Sequence, residues 1–102
     1  MFTIVRTRSL EMMPYAQAKV RIYENSNAVL VSYATEVATI DGEGWVRVRG
    51  LYSMTTRRHI SAFAREYRAS YAAFKRCYEQ NLSYNIYTGE FVSLTTGEIV
   101  EG

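Results

Sequence analysis

The sequence has very few of the residues that metal sites and covalent catalysis require. It contains one cysteine, one histidine and one aspartate, which are Cys77, His59 and Asp41. A zinc site takes three or four ligands, mostly Cys and His, so we expect no metal ion. A lone cysteine forms no disulfide within the chain. This fits a reducing compartment, and we expect the protein to be cytoplasmic.

Motifs of common enzyme classes are missing as well. The chain has neither the GxxxxGK[ST] phosphate loop nor the GxGxxG dinucleotide fingerprint. A Ser-His-Asp arrangement would depend on Asp41, which falls in a turn, and no nucleophile-elbow motif is present. Asp41 and Glu43 are also a poor catalytic pair. Paired catalytic carboxylates need unlike environments, and these two share one turn. We therefore predict no enzymatic activity and no cofactor; a compact hydrolase using His59 is the least favoured alternative.

Long apolar runs are absent, and so is positive charge after residue 76. No segment approaches the roughly 20 apolar residues of a membrane span, and the N-terminal residues do not form a secretory signal, so we expect no membrane association. The formal net charge is +2, but all twelve Lys and Arg lie at or before Arg76, and ten of them are Arg. Glu79, Glu90, Glu98 and Glu101 follow. The chain therefore combines a basic body with an acidic tail.

The patterns that are present predict strands in the first half of the chain. A short strand is predicted at residues 2–5, and residues 19–23 alternate between polar and apolar as a half-buried strand does. Residues 28–40 are rich in β-branched side chains and predict one long strand. A turn at residues 41–44 leads into a return strand at residues 45–50. These segments predict an antiparallel meander.

Apolar spacing predicts one long helix in the second half, from near Thr56 to residues 80–81. At about 100° per residue the apolar positions share one face. Beyond the helix, residues 86–92 and 94–100 each contain a Thr-Gly-Glu turn followed by two apolar residues, which predicts a short hairpin and a second turn. The expected fold is a single α+β domain, residues 1–102, in which an antiparallel β-meander of four or five strands carries one long amphipathic helix. The apolar positions of the helix are Ile60, Phe63, Ala64, Tyr67, Tyr71, Phe74 and Tyr78.

The start of this helix has an unusual charge. Thr55 or Thr56 can serve as the N-cap, because a threonine hydroxyl accepts a hydrogen bond from a free helix N–H. The basic residues 57–59 then fall in the first turn, where the helix dipole disfavours cations by about 0.3–1 kcal/mol each. A nearby anion would offset this cost. Two alternatives stay open: a carboxylate of the protein, for which Glu36 is a candidate, or a bound anion such as phosphate.

Two basic surfaces are candidates for recognition of a partner. One strand face carries Trp45, Arg47 and Arg49, a combination that single-strand binders use; the alternative is a solvated face with snorkelling arginines. One side of the helix suits phosphates or an acidic protein, although Arg also favours helices and can simply face solvent. The basic residues on that side are Arg57, Arg58, Arg65, Arg68, Lys75 and Arg76.

Three stretches form a recognisable pattern: "SYATEVATID", "GEGW" and "GLYSMTTRRHISAFAREY". The order Ser-Tyr-x-Thr-x-Val-Ala, then Gly-x-Tyr-Ser-x-Thr-Thr-x-x-His, resembles a family of small uncharacterised proteins of bacteriophages and mobile elements, mainly of Gram-positive bacteria. The match covers residues 32–67. It implies an origin rather than an activity. The positions it points to are Tyr52, Ser53, Thr55, Thr56 and His59.

We therefore expect a non-enzymatic accessory protein that binds nucleic acid or a nucleic-acid-handling host complex in the cytoplasm of a bacterium. Inhibition of a host defence, such as a CRISPR system, would suit the phage-type origin that the resemblance implies. A small structural or assembly protein acting through a tyrosine-rich surface is the alternative, since nine residues are Tyr. Both interpretations are compatible with a homo-oligomer.

Overall fold

The structure is a computed structural model that describes residues 2–100. Met1, Glu101 and Gly102, and with them the end of the acidic tail, lie outside the described residues. Eight strands form one antiparallel sheet in which the strand order follows the chain. Among the described elements, no helix has the length and apolar character needed to cross a membrane. In chain order the elements are β1 (Ile4–Ser9), β2 (Ala18–Tyr23), β3 (Ala28–Ser32), β4 (Thr35–Ile40), β5 (Trp45–Val48), α1 (Met54–Glu66), α2 (Tyr71–Gln80), β6 (Leu82–Asn85), β7 (Phe91–Ser93) and β8 (Ile99–Val100).

One face of the sheet carries both helices and the hydrophobic core. Alternate residues of neighbouring strands turn toward the helices, so that Val20 pairs with Leu30 and Leu30 pairs with Ala38 across the sheet. Phe63 of α1 and Phe74 of α2 are fully buried against this face. Their rings meet edge to face with centroids 6.3 Å apart. The core therefore lies between the helix layer and one face of the sheet.

The prediction of one long helix is wrong, because the chain breaks between α1 and α2. Arg68 adopts a left-handed conformation with a φ of 58°, and the Ala69 N–H donates to the Ala64 carbonyl at 2.9 Å, an arrangement that ends helices. Ser70 then caps α2, since its Oγ accepts from the Ala73 N–H at 3.2 Å. The apolar spacing concealed the break because both helices turn an apolar side to the same sheet.

Helix α1 also begins earlier than predicted. Its N-cap is Ser53, whose Oγ accepts from the Thr56 N–H at 3.1 Å. The Arg57 N–H donates to the Ser53 carbonyl at 3.0 Å and closes the first turn. Thr55 and Thr56 therefore lie inside the helix, and neither of them is the cap.

The predicted count of four or five strands is wrong as well. Residues 28–40 form two strands, β3 and β4, which reverse at Tyr33 with a φ of 57°. No glycine, proline or asparagine marks this turn, so turn chemistry gave no signal. The tail adds β6, β7 and β8. Its two predicted turns are confirmed and share one geometry: the Gly89 N–H donates to the Asn85 carbonyl, and the Gly97 N–H to the Ser93 carbonyl, both at 2.8 Å.

An ion pair fastens the edge strand β1 to the helix layer. Arg8 Nη1 lies 2.6 Å from Oε1 of Glu66, whose side chain is almost fully buried. The other oxygen, Oε2, accepts from the Glu11 N–H at 2.7 Å. A buried carboxylate needs such partners to offset its lost hydration, so these contacts fix where the β1–β2 connection meets the end of α1.

Candidate nucleic-acid interface

The second face of the sheet is open, because α1 and α2 both pack on the first. One row of paired residues crosses β2 to β5 on this face and reads Arg21, Val29, Thr39 and Arg47. Neighbouring strands lie about 4.8 Å apart, so the backbone positions of the two arginines are roughly 14 Å apart. We call this surface the open face; it comprises Lys19, Arg21, Tyr23, Val29, Val31, Glu36, Thr39, Trp45, Arg47 and Arg49.

Cations dominate the charge of the open face. Glu36 is the one carboxylate among the residues that define it. Its Oε2 lies 3.9 Å from Arg21 Nη1, with both side chains well exposed, so this pair is weak. Arg47 and Arg49 make no ion pair with a carboxylate of residues 2–100. Lysine and arginine therefore outnumber carboxylates here by four to one, and the face is basic.

Two valines of the open face are nearly as buried as the core. Val29 is 7% exposed and Val31 is 5% exposed, although both helices lie on the opposite side of the sheet. Neighbouring side chains must therefore exclude the water. Arg21 pairs directly with Val29, and arginine has an apolar stem that can cover such a residue while its head stays in water. The open face thus combines an apolar floor with cationic groups above it.

The predicted grouping of Trp45, Arg47 and Arg49 on one face is confirmed. Val46 is fully buried on the helix side, and Val48 packs against the same core. Trp45, Arg47 and Arg49 alternate with these two valines and therefore point the other way. Asp41 Oδ1 accepts from the Trp45 N–H at 3.0 Å. This contact fixes the start of β5 and hence the position of the indole at the edge of the open face.

The predicted basic residues of the helices form a separate surface. Arg57, Arg58 and Lys75 line a shallow hollow of about 310 Å³ between the exposed sides of α1 and α2. Arg58 and Arg65 also line a second hollow of about 200 Å³. Arg68 is exposed at the break between the helices. We call the group of Arg57, Arg58, Arg65 and Lys75 the helix patch.

The hypothesis that Glu36 neutralises the start of the helix is wrong. Glu36 lies on the open face beside Arg21, on the opposite side of the sheet from α1. Arg57 and Arg58 form no ion pair with a carboxylate of the described chain. For the helix start, no carboxylate of residues 2–100 therefore serves as the partner of Arg57 or Arg58, and a bound anion stays a prediction.

Several residues that carry the family resemblance form a buried polar network. His59 is 1% exposed and Ser32 is 3% exposed. His59 Nδ1 lies 2.8 Å from Ser32 Oγ, which lies 3.4 Å from Thr56 Oγ1, and Ser53 Oγ donates to Thr56 Oγ1 at 3.2 Å. Burial lowers the pKa of His59, so its ring is neutral at pH 7 and adds no charge to the helix start. The network joins the end of β3 to the first turns of α1.

Two other resemblance positions, Tyr52 and Thr55, lie nearer the surface. The ring of Tyr52 is mostly exposed and lies over Gly50 so closely that a side chain at Gly50 would collide with it. Tyr33, next to the buried Ser32, is also mostly exposed, and its ring centroid lies 6.0 Å from that of His59. The resemblance motif therefore has a buried polar half and an exposed aromatic half.

The Ser32–His59 contact has the atoms of half a hydrolytic triad, but it lies out of reach. Both groups are buried, so a substrate would have to open the fold to touch the hydroxyl. Cys77 is buried as well, and burial raises its pKa to about 12, so it holds no thiolate at pH 7. In residues 2–100 no three His, Cys, Asp or Glu side chains come together as a metal site. The geometry favours a structural role for the Ser32–His59 pair.

Sequence reasoning did not select Lys19, Arg21 and Tyr23, which extend the open face to β2. A signal was present, because these residues alternate with Val20 and Ile22. Alternation shows which residues of one strand share a side, but it does not show which strands lie beside each other. The row from Arg21 to Arg47 therefore became visible only with the strand order.

These features define a class of protein: one antiparallel sheet with two helices on one face and a basic second face left open. The chain belongs to a family of unknown function (DUF8033), whose model matches residues 8–82. That range includes β2 to β5 and both helices and ends before β7 and β8. No curated protein and no solved structure matches the chain.

Proposed function

We propose that this protein is a non-enzymatic nucleic-acid-binding protein whose open face contacts the phosphates of a single strand. The observation that carries the proposal is the row that places Arg21 and Arg47 on an uncovered face, with Trp45 on the same side of β5. A positively charged groove together with aromatic rings is the combination that single-strand binders use.

The spacing of the cations supports a polymer rather than a small anion. A separation of roughly 14 Å between the backbone positions of Arg21 and Arg47 corresponds to about four stacked nucleotides at 3.4 Å each. Lys19 and Arg49 belong to the same surface. A single phosphate ion would reach only part of this set, whereas an extended strand can contact all four cations.

Salt dependence is the first test of the proposal. If four phosphates are neutralised, a plot of log affinity against log salt has a slope of about −3, because each contact on a single strand contributes about −0.7. Affinity for a fluorescein-labelled oligodeoxythymidylate, measured by anisotropy, should therefore fall about 50-fold between about 50 and about 200 mM salt. Affinity that is absent or independent of salt would overturn the proposal.

Charge reversal locates the contact. The double variant Arg47→Glu and Arg49→Glu should lose at least about 100-fold in affinity, because two attractive contacts become repulsive. The matched control, Arg57→Glu and Arg58→Glu, changes the same charge on the helix patch and should alter affinity by less than about threefold. A larger loss in the control would move the interface to the helix patch. Circular dichroism of each variant verifies that the fold is intact.

The finer part of the proposal concerns biological context. We include in it an accessory role in phage or mobile-element biology, in which the bound strand belongs to a host nucleic-acid-handling complex such as a defence system. Its support is the sequence resemblance together with the basic open face. Recovery of a defined host complex from bacterial extract by the wild-type protein, and not by the Arg47→Glu, Arg49→Glu variant, would support this part; recovery of nothing would count against it.

A second candidate function is assembly through tyrosines, and the sheet topology favours it. Because the strands alternate in direction, the connections that hold Tyr15, Tyr33 and Tyr52 lie at one end of the sheet, and all three rings are mostly exposed. Clustered exposed aromatic rings often mark protein interfaces. The double variant Tyr33→Ala and Tyr52→Ala should then abolish capture of a partner protein from nuclease-treated extract. Unchanged capture would remove this candidate.

A further inference from the structure

A hollow of about 370 Å³ lies within the open face, between the β2–β3 turn and β5. Val29 and Thr39, which pair across β3 and β4, contribute to its floor. Phe2 and Tyr23 line it next to the turn, and Arg47 lines it next to β5. A volume of this size lies in the range of sites that hold small organic ligands. The lining therefore combines aromatic rings, an apolar floor and a guanidinium group.

The aromatic end of the hollow is held in place by backbone hydrogen bonds. The Tyr23 N–H donates to the Asn27 carbonyl at 2.9 Å, and the Glu24 N–H donates to the Thr3 carbonyl at 3.0 Å, next to Phe2. These contacts attach both ring-bearing segments to the β2–β3 turn. A binding surface that is ordered before the ligand arrives loses less entropy on binding, so this end suits a flat ring.

Two amide side chains, those of Asn25 and Asn27, line the same end, and neither NH₂ group donates a hydrogen bond to residues 2–100. Asn25 Oδ1 accepts from the Asn27 N–H at 3.2 Å, and Asn27 Oδ1 accepts from the Gly42 N–H at 3.3 Å. With both carbonyl oxygens engaged, the NH₂ groups are what these side chains offer to a ligand. NH₂ donors suit the ring carbonyls of thymine or uracil better than adenine, which has no carbonyl group.

The charged residues that line the hollow determine which end of it can bind a phosphate group. Glu36 also lines the hollow, and its carboxylate disfavours a phosphate in the interior. Arg47 and Arg49 line the side next to β5 and suit a phosphate there, because a guanidinium fork matches phosphate oxygens. A nucleotide would therefore place its base toward the aromatic end and its phosphate toward the arginines.

The geometry points to the hollow as a binding site, which we call the base seat, for one nucleobase of the bound strand, with a preference for a carbonyl-bearing pyrimidine. The base stacks against Tyr23 and Phe2 over Val29, and its phosphate meets Arg47 and Arg49. This inference rests on the proposed function, and it adds recognition of a base to recognition of the backbone. Base stacking on an aromatic ring is worth about 1–3 kcal/mol, which corresponds to roughly fivefold to 150-fold in affinity.

The test compares two strands of equal length and charge: oligodeoxythymidylate and a strand that carries abasic sites in place of its bases. The wild-type protein should bind the first about tenfold more tightly and should also prefer it to oligodeoxyadenylate. Tyr23→Ala, which removes a stacking ring, should lose the preference for bases and keep the affinity for the abasic strand. Val29→Phe should do the same by filling the hollow without changing the charge, and it decides the question if Tyr23→Ala fails to fold.

The outcomes separate the two proposals. Equal affinity of the wild-type protein for both strands, with both lost in Arg47→Glu, overturns the base seat and leaves the proposed function intact. Binding of neither strand overturns both. A base preference that survives in Tyr23→Ala and Val29→Phe places the base elsewhere and overturns the seat. Equal affinity for thymidylate and adenylate strands overturns the preference for carbonyl-bearing bases.

Discussion

Leu30 and Val31 are neighbours in β3 that face opposite sides of the sheet, and they are buried by different means. Leu30 is covered by the helix layer and is fully inaccessible. Val31 is 5% exposed, yet side chains of its own face exclude the water. Elements that pack on each other cannot separate without loss of the fold, whereas a long side chain can swing aside. The comparison teaches that the open face can admit a ligand onto an apolar floor without unfolding.

The basic residues of the helix patch and those of the open face differ in how well secondary-structure propensity accounts for them. Arginine has a high helix propensity, so the helix patch needs no ligand to account for it. Lysine is depleted in strands, and Lys19 alternates with buried residues in β2. The open face therefore calls for a functional explanation more strongly than the helix patch does.

The largest expected effect is on stability, and it compares how tightly the two faces of the sheet are packed. Leu30→Ala should lower the free energy of unfolding by about 3 kcal/mol, because it removes buried methyl groups and leaves a cavity under the helices. Val31→Ala should cost only about 1 kcal/mol, since it removes less apolar surface and its neighbours can move into the space. Urea denaturation of both variants measures the difference. Equal losses would show that the open face is packed as rigidly as the core.

A smaller effect is the pH dependence of stability, which should arise on the helix side of the sheet and not on the open face. The pKa of the buried His59 is lowered in the folded state, while an unfolded histidine titrates near 6.5. The unfolded state therefore binds more protons below that pH, and stability falls as pH drops from about 6.5 toward the folded-state pKa, by up to about 1.4 kcal/mol per pH unit. Urea denaturation between about pH 7.5 and about pH 5.5 should show this slope in the wild-type protein and not in His59→Gln.

The open face serves as the internal control for that measurement. The only histidine lies on the helix side of the sheet, so affinity for a single strand should stay constant over the same pH interval while the protein remains folded. A strong rise in affinity on acidification would mean that a titrating group contributes to the interface, which contradicts the division between a titratable covered side and a permanently charged open face.

The sequence predicted single strands better than their arrangement. The face shared by Trp45, Arg47 and Arg49 follows from the two-residue period of a strand and needed no further information. The break at Arg68 and the reversal at Tyr33 use left-handed residues other than glycine, which sequence patterns rarely reveal. The sequence presents residues 57–59 as one basic group, but His59 faces the core because it is two positions beyond Arg57, about 200° around the helix.

The hollow could not be predicted from the sequence for a related reason. It is lined by residues from the N-terminus, the β2–β3 turn, β4 and β5, which no local pattern connects. Glu36 illustrates the difficulty, because its position on a neighbouring predicted strand made it a candidate partner for the helix start. The bulge in β4 between the partners of Leu30 and Val31 and the strand order instead place it beside Arg21.

The smallest expected effect tests whether Glu36 restrains the open face. Glu36→Gln removes the carboxylate that lies 3.9 Å from Arg21, and an exposed pair of this kind is worth at most about 1 kcal/mol. Affinity for a single strand should therefore rise by roughly threefold, because Arg21 becomes fully available to phosphate. The matched control is Glu79→Gln on the exposed side of α2, which makes the same change of charge on the helix side. If the control raises affinity as much, the gain reflects net charge, and Arg21 has no special place in the interface.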